Sequence, residues 1–263
     1  MTLRASILGV SVWGPGLEGW AASRPVLAGE VAYEARPSPP PPPAILPPTE
    51  RRRSGPVVRL ALAVAQEAAA ASGREPGSLR AVFGSSNGDG PVVGSILDAL
   101  ATAGSERVVS PTQFHNSVHN AAAGYWSIAT ASRQPATCLG CHDDTWAAAL
   151  LMGAAECAAT GEAVLLCCYD HPLPPPLVAR RPTGPHFGVA MVLGPPDAGP
   201  TLDVMYDPAP GAAEALADPG LEAIARANPA GRSLPLLAAL ARGGAARLVV
   251  PYLEGSLVLD LAP

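Results

Sequence analysis

Two stretches of the sequence hold residues of the kinds that perform catalysis. In the first, SPTQFHNSVHNAAAGYWSIA, His115 and His119 stand four positions apart among amide and aromatic side chains. In the second, CLGCH, Cys141 directly precedes His142. A cysteine thiolate activated by a histidine base is a common nucleophile for acyl transfer. The pattern therefore nominates Cys141 as a nucleophile, with His119 or His142 as its base.

The CLGCH segment also fits two other kinds of site. Its CxxCH spacing is that of covalent haem attachment, which requires export, but the apolar run near the N-terminus is too short for a secretory signal. A zinc site there would lack the support of a second CxxC pair. Its ligands would be Cys138, Cys141, His142 and His171. We favour buried thiols and a helix start capped by Asp143 or Asp144, and we expect no metal and no cofactor.

The charge balance argues against a nucleic-acid partner. The net charge is −5, and the 17 basic residues are all arginines. A nucleic-acid-binding domain would carry a basic patch, whereas the one basic cluster is residues 51–53, which we interpret as a solvated loop flank. Residues 84–90 are rich in glycine but match neither phosphate-binding motif. We interpret them as a tight turn between a strand and a helix.

The hydropathy indicates a single globular chain that covers part of its surface with a partner. Hydrophobic residues make up 48% of the 263 residues and charged residues only 15%. No stretch has the roughly 18 uninterrupted apolar residues that would span a membrane. The five cysteines show no disulfide spacing, so free thiols in a reducing cytoplasm are expected.

Strands and helices alternate along most of the chain. Strands are predicted at residues 3–13, 79–84, 134–139, 163–169 and 187–193, and helices at 17–23, 57–72, 91–103, from Asn120 as the cap, and 145–160. After residue 200, strands are predicted at 202–206, 246–252 and 256–261, and helices at 212–227 and 233–242. This order predicts a mixed, largely parallel sheet covered on both faces. The proline and turn formers in residues 110–117 predict a loop.

The segment SVHNAAAGYWSIAT, together with the order of strands and helices, resembles the β-ketoacyl synthases. The small residues after Asn120 are similar to those that open a helix at the dimer interface of that family. The likeness covers residues 3–193, and the longer run from residue 110 resembles chain-length-factor-like members of aryl-polyene and related pigment clusters. It implies a thiolase-like α/β fold of αβαβα layers in a single domain, residues 1–263. Its first half, 1–195, would be complete and its second half, 196–263, shortened.

The resemblance also implies that the usual catalytic residues are missing. A condensing synthase has a nucleophilic cysteine at the start of the helix that ends here at Gly161, and counting back places that position at or next to Asp144. It also uses two histidines from its second half, whereas no histidine follows His186. An aspartate forms no acyl thioester. We therefore expect no catalytic residue, with Cys141 as the fallback nucleophile.

Two functions remain open on the sequence. The first is a chain-length-factor-like subunit that pairs with an active β-ketoacyl synthase in fatty-acid or polyketide synthesis and meets the acyl carrier protein through that complex. Its interface and tunnel-end residues would be Phe114, His115, Val118, His119, Asn120 and Trp126. The second is a small acyltransferase or 3-oxoacyl carrier-protein synthase that uses Cys141.

Overall fold

The apolar runs of the sequence form nine strands, and all nine belong to one sheet. The structure, a computed structural model, describes residues 2–102, 108–196 and 199–263. The strands are β1 Thr2–Gly14, β2 Leu17–Glu18, β3 Arg80–Gly84, β4 Ala136–Leu139, β5 Val164–Asp170, β6 Phe187–Gly194, β7 Thr201–Asp207, β8 Ala246–Tyr252 and β9 Gly255–Ala262. Each predicted strand is present, and its bounds shift by two residues at most. The short strand β2 was not expected.

The helices of the described residues begin and end at the expected kinds of residue. They are α1 Trp20–Ala28, α2 Pro48–Arg53, α3 Pro56–Ala71, α4 Gly90–Ala101, α5 Pro111–Asn116, α6 Ala121–Thr130, α7 Thr145–Thr160, α8 Pro219–Ala227 and α9 Leu234–Arg242. Proline stands in the first turn of six of them, where its missing N–H costs nothing. The helix α7 has the predicted bounds and ends at Gly161 in the left-handed conformation.

Four local predictions are wrong. Residues 111–116 form a short helix rather than a loop, because Pro111 occupies its first turn. The arginines of residues 51–53 belong to α2. The first helix begins at Trp20 rather than at residue 17, and α8 begins at Pro219 rather than at residue 212. The predicted end of α4, Ala103, lies outside the described residues.

The strand directions correct the expected sheet. The order is β4-β3-β5-β6-β1-β7-β9-β8, and β2 pairs with β1. Within the described residues, β3 pairs in parallel with β4 and β5, but the other six pairings are antiparallel. The sheet is mixed but not largely parallel. The strands after residue 200 do not form a separate sheet, because β1 pairs with both β6 and β7 and joins the two halves.

The two halves repeat one arrangement. In the first half, β1 is followed in the sheet by antiparallel β6 and then by β5; in the second, β7 is followed by antiparallel β9 and then by β8. A helix precedes the third strand each time, α7 before β5 and α9 before β8. The strands β3 and β4 have no counterpart among the described residues of the second half. Among the described residues, the first half thus contributes six strands to the sheet and the second half three.

The faces of the sheet are covered unequally. The helices α3 and α6 pack on one face of the first half, and α7 packs on the opposite face, where the core continues into β7, β8 and β9. On the second half, the face that continues the α3 side carries charged side chains in one cross-strand row. The row is Arg4, Asp203, Asp260 and Arg247. This part of the sheet therefore faces solvent. No helix in the described parts of the chain is long and apolar enough to cross a membrane.

Candidate functional site

The three parallel strands end at one edge of the sheet, and residues 140–145, here called the elbow, connect β4 to α7 at that edge. A threonine at the first position of α7 fixes the turn. The Thr145 hydroxyl accepts the Cys141 N–H at 3.0 Å and donates to the His142 carbonyl at 2.7 Å. His142 has a positive φ of 52°, which a residue other than glycine rarely adopts. Its side chain points out to solvent and is 72% exposed.

Asp143 at the elbow is bound by two arginines. Its carboxylate accepts from the Arg181 guanidinium at 2.6 Å and lies 3.1 Å from the Arg232 guanidinium. Partial burial acts to raise the pKa of Asp143, but the hydrogen bond from Arg181 and the charges of both arginines outweigh it, so the pKa lies below its usual range. The carboxylate is therefore ionised and engaged within the chain.

Asp144, at the position expected for a nucleophile, is also engaged. Its Oδ1 lies 3.3 Å from Arg232 Nη1, and its Oδ2 accepts the backbone N–H of Leu253 at 3.1 Å. Leu253 lies in the turn between β8 and β9 and has a positive φ of 53°. We expected Asp143 or Asp144 to cap the helix. That prediction is wrong, because neither carboxylate accepts an N–H from the first turn of α7, and Asp144 instead holds the second half.

A buried carboxyl group lies behind the elbow, at the end of β5. Asp170 accepts hydrogen bonds from the Ser85 hydroxyl at 3.2 Å and the Ser86 N–H at 2.8 Å, while its Oδ2 has no partner within the described residues. Burial raises the pKa of Asp170 to about 7, against the opposing effect of these hydrogen bonds. Arg181 reaches the same place and donates to the Ser86 hydroxyl at 2.9 Å.

The sequence did not nominate three residues of this cluster. Asp170 could have been noticed as a charged residue that ends an apolar strand. Arg181 and Arg232 carry no local signal, since they lie 38 and 89 positions after Asp143 in a proline-rich loop and a 3-10 turn. Only the fold brings them to the elbow.

The histidines and cysteines do not assemble as a catalytic pair. His119 Nε2 lies 2.9 Å from the Leu139 carbonyl oxygen, and within the described residues no hydrogen bond joins it to Cys141. His171 stacks on His186, with ring centroids 6.1 Å apart. None of the five cysteines, all of which lie within the described residues, forms a disulfide, and Cys141 is half-buried. Residues 2–102, 108–196 and 199–263 contain no group of three or more His, Cys, Asp or Glu side chains that could hold a metal ion.

A second surface of functional interest is apolar. The helices α4, α5 and α6 follow one another along the chain, and α5 packs against α4. We call the exposed residues of these helices and of the segments between them the flank. Of the ten large hydrophobic side chains exposed among the described residues, six lie in or next to these helices. They are Leu97, Leu100, Val108, Phe114, Val118 and Ile128. The helix α4 is rich in valine and leucine but buries only Gly90 and Gly94. Such a patch marks an interaction site in a protein.

The structure distributes the predicted interface residues between the flank and the core. Five are exposed or half-exposed on the flank: Phe114, His115, Val118, His119 and Asn120. Asn120 occupies the cap position of α6 but makes no side-chain cap bond there. Trp126, in contrast, is buried against α3. A cleft of about 420 Å³ opens beside His115 and Ile128.

Solved structures with the same fold include two complexes. One is a ketosynthase, ApeO, in complex with its chain length factor, ApeC, from Xenorhabdus doucetiae, with a TM-score of 0.73 and 20% identity over 98% of this chain and 99% of the matched chain. The other is the ishigamide ketosynthase/chain length factor, with a TM-score of 0.69 and 15% identity over 98% of both chains. A β-ketoacyl synthase from Burkholderia phymatum STM815 has a TM-score of 0.60 and 16% identity over 73% of this chain and 59% of that chain.

These similarities confirm the predicted thiolase-like α/β fold. A comparison with curated protein sequences gave no significant match. Residues 27–246, most of the chain, match the family described as β-ketoacyl synthase, N-terminal domain. The chain therefore belongs to the β-ketoacyl synthase N-terminal domain family.

Proposed function

We propose that this chain is a non-catalytic, chain-length-factor-like subunit that pairs with an active β-ketoacyl synthase in polyketide, polyene or fatty-acid synthesis. The observation that carries the proposal is the state of Asp144. At the start of the helix where the family places its nucleophile, a carboxylate is bound by Arg232 and by the backbone of Leu253. A carboxylate has no sulfur with which to form an acyl thioester, and both oxygens of Asp144 are already engaged within the chain.

The reduced second half supports the loss of condensation. The family resemblance implies two histidines from that half, which would polarise the malonyl thioester during decarboxylation. Here the sheet strands in the described part of the second half are only β7, β8 and β9. No histidine follows His186 in the sequence. Nucleophile and histidine pair are therefore both absent from the positions where the mechanism needs them.

The flank supports pairing with another chain. A helix that exposes Leu97 and Leu100 gains free energy when a partner removes these side chains from water. The extent of the structural likeness also supports this role. It matches one chain of each ketosynthase/chain-length-factor complex over nearly its whole length, whereas it covers only 59% of the Burkholderia phymatum β-ketoacyl synthase.

In this role the flank would close the end of the partner's acyl tunnel. Phe114 is the most suitable side chain, because it is aromatic and 67% exposed. Val118 lies after it on the same surface, and buried Trp126 would support α6 from behind. The acyl carrier protein would deliver its substrates to the active subunit rather than to this chain.

The test is co-expression with β-ketoacyl synthases, followed by native mass measurement and a condensation assay. We expect a heterodimer whose condensation activity is unchanged by Cys141→Ala. Replacing the nucleophilic cysteine of the synthase by alanine should abolish activity. A lone chain that forms a covalent acyl adduct lost in Cys141→Ala would overturn the proposal and establish the acyltransferase alternative.

A further inference from the structure

We propose that Arg181, through its ion pair with Asp143, is a positioning residue for α4, the helix that contributes Leu97 and Leu100 to the flank. This inference rests on the proposed function, since it assigns the elbow a task in partner binding. The connection runs through residues 171–186, which we call the proline-rich loop. One end of this loop packs against α4, and a later part of it is bound at the elbow.

The contact between α4 and the loop is close. Gly90 and Gly94 face the loop, and a Cβ atom added at Gly90 would lie 2.4 Å from Leu173 Cδ2. A Cβ added at Gly94 would lie 2.5 Å from Pro174 Cγ. Both distances are too short for real atoms, so the helix backbone rests directly on Leu173 and Pro174. These two glycines are the only residues that α4 buries, so the loop is a principal support of the helix.

The loop has little regular structure of its own. Between β5 and β6 it contains one 3-10 turn, Leu177–Ala179. Its two ends meet where the His171 and His186 rings stack. Beyond the turn, Arg181 is the charged connection of the loop to the elbow, since the guanidinium binds Asp143 at 2.6 Å and the Ser86 hydroxyl at 2.9 Å. Asn228 also donates to the Pro185 carbonyl at 2.7 Å, close to the end of the loop. The side chain is only 22% exposed, so water replaces this pair poorly.

Asp143 provides an internal control. Its carboxylate binds Arg181, which belongs to the loop, and Arg232, which belongs to the second half. Removing either arginine leaves Asp143 with the other, and removing Arg232 also takes a cationic partner from Asp144, so the electrostatic loss at the elbow is at least as large without Arg232 as without Arg181. Of the two arginines, only Arg181 belongs to the loop on which α4 rests, so only its loss removes the attachment of the loop to the elbow.

The experiment compares Arg181→Met with Arg232→Met in the full chain. Hydrogen exchange of the α4 amides is measured in the chain alone, and affinity is measured for the synthase that co-purifies with it. For Arg181→Met we expect α4 amides to exchange about tenfold faster and the dissociation constant to rise about tenfold. Arg232→Met should change both quantities less than about twofold, and Arg181→Lys should recover part of each loss.

The outcomes separate this inference from the proposed function. Unchanged exchange in α4 of Arg181→Met overturns the inference whatever the affinity. Faster exchange with unchanged affinity also overturns it and shows that α4 is not part of the interface. If no synthase binds even the unmodified chain, the proposed function fails and the inference fails with it.

A second variant covers the case in which Arg181→Met does not fold. Gly94→Ala disturbs the same contact from the helix side and leaves the ion pairs intact, because its methyl group must displace the Pro174 ring. We expect the same two changes as for Arg181→Met. Gly153→Ala is its control, since this glycine lies in α7, away from the flank, and a Cβ there makes only an ordinary contact, 3.5 Å from Leu193 Cδ1. Equal exchange and affinity in Gly94→Ala and Gly153→Ala would overturn the inference.

Discussion

The elbow and the flank are opposites in chemistry and in exposure. At the elbow, carboxylates and arginines bind one another, and the helix α7 that follows buries nine of its sixteen residues. On the flank, α4 is apolar yet leaves its large side chains partly or fully exposed. The charged side chains of the elbow, the region that most resembles an active site, are bonded to one another. The large apolar side chains of the flank, in contrast, are exposed to water.

This difference shows where an outside molecule would gain most by binding. A ligand at the elbow would have to compete with formed ion pairs, which costs the free energy of breaking them. A partner on the flank would only remove apolar side chains from water. The comparison therefore agrees with the proposed roles, which are partner binding on the flank and structural support at the elbow.

The largest expected effect tests the carboxyl group of Asp170, which is buried behind the elbow. The pKa of Asp170 is about 7 in the folded chain and 3.8 for a free carboxyl group. Between these two pH values the folded chain keeps a proton that the unfolded chain loses. Stability should therefore fall as pH rises from about 4 to 7, by roughly 3 to 4 kcal/mol. Asp170→Asn should remove this slope and be the more stable form at pH 8. Urea unfolding at pH 5 and pH 8 measures it, with exposed Asp98→Asn as the control that should keep the slope.

The next effect tests the flank. Leu97→Arg should weaken the heterodimer by about 100-fold, because it places a charge in an apolar contact. The melting temperature of the chain alone should stay unchanged, since Leu97 is 48% exposed. Val31→Arg is the matched control, since Val31 is 53% exposed but lies away from α4–α6. Equal binding by the two variants would show that the flank is not the interface.

A smaller effect concerns what the flank does within the pair. Phe114→Ala should lengthen the products made by the heterodimer, because the closed end of the tunnel loses a large side chain. Mass spectrometry of the released acyl chains measures the change. Met152→Ala, which trims another exposed hydrophobic side chain, should leave product length as it was. An unaltered distribution for Phe114→Ala would remove that residue from the tunnel.

The smallest expected effect is none at all. Asp144→Cys restores a thiol at the start of α7, but it should give the chain no condensation or malonyl decarboxylation activity, because no histidine pair is present. Asp144→Asn is the control for the lost contacts to Arg232 and Leu253. Release of carbon dioxide from a malonyl thioester by the Cys variant alone would show that the elbow retains catalytic capacity.

Local patterns predicted the elements well because their causes are local. The alanine-rich run of α7 and the glycine after it define that helix without help from the rest of the chain. Pro111 shows the opposite case. Proline is common both in loops and in the first turn of a helix, so its presence alone does not distinguish the two. The contact with α4 favours the helix here, since Gln113 of α5 donates to Ser95 of α4 at 3.0 Å.

The strand pairing and the partners at the elbow depended on long-range contacts. Nothing near residue 4 indicates that its strand pairs with residues around 203, and this pairing is one of the six antiparallel pairings among the described residues. Arg181 and Arg232 reach Asp143 only after the loop and the second half have folded. Among the predicted interface residues, the sequence could not separate exposed Phe114 from buried Trp126, since both are aromatic residues in the same segment.

The strand β1 has a consequence for the order in which the molecule forms. Its partners are β6 and β7, so Arg4 and Asp203 meet across 199 positions of chain. During synthesis, β1 must wait with an apolar face uncovered until residues near 205 have left the ribosome. Contacts this distant slow folding and expose unpaired strand edges to aggregation. Yield in the cell should therefore depend on chaperone supply and on slow translation at low temperature.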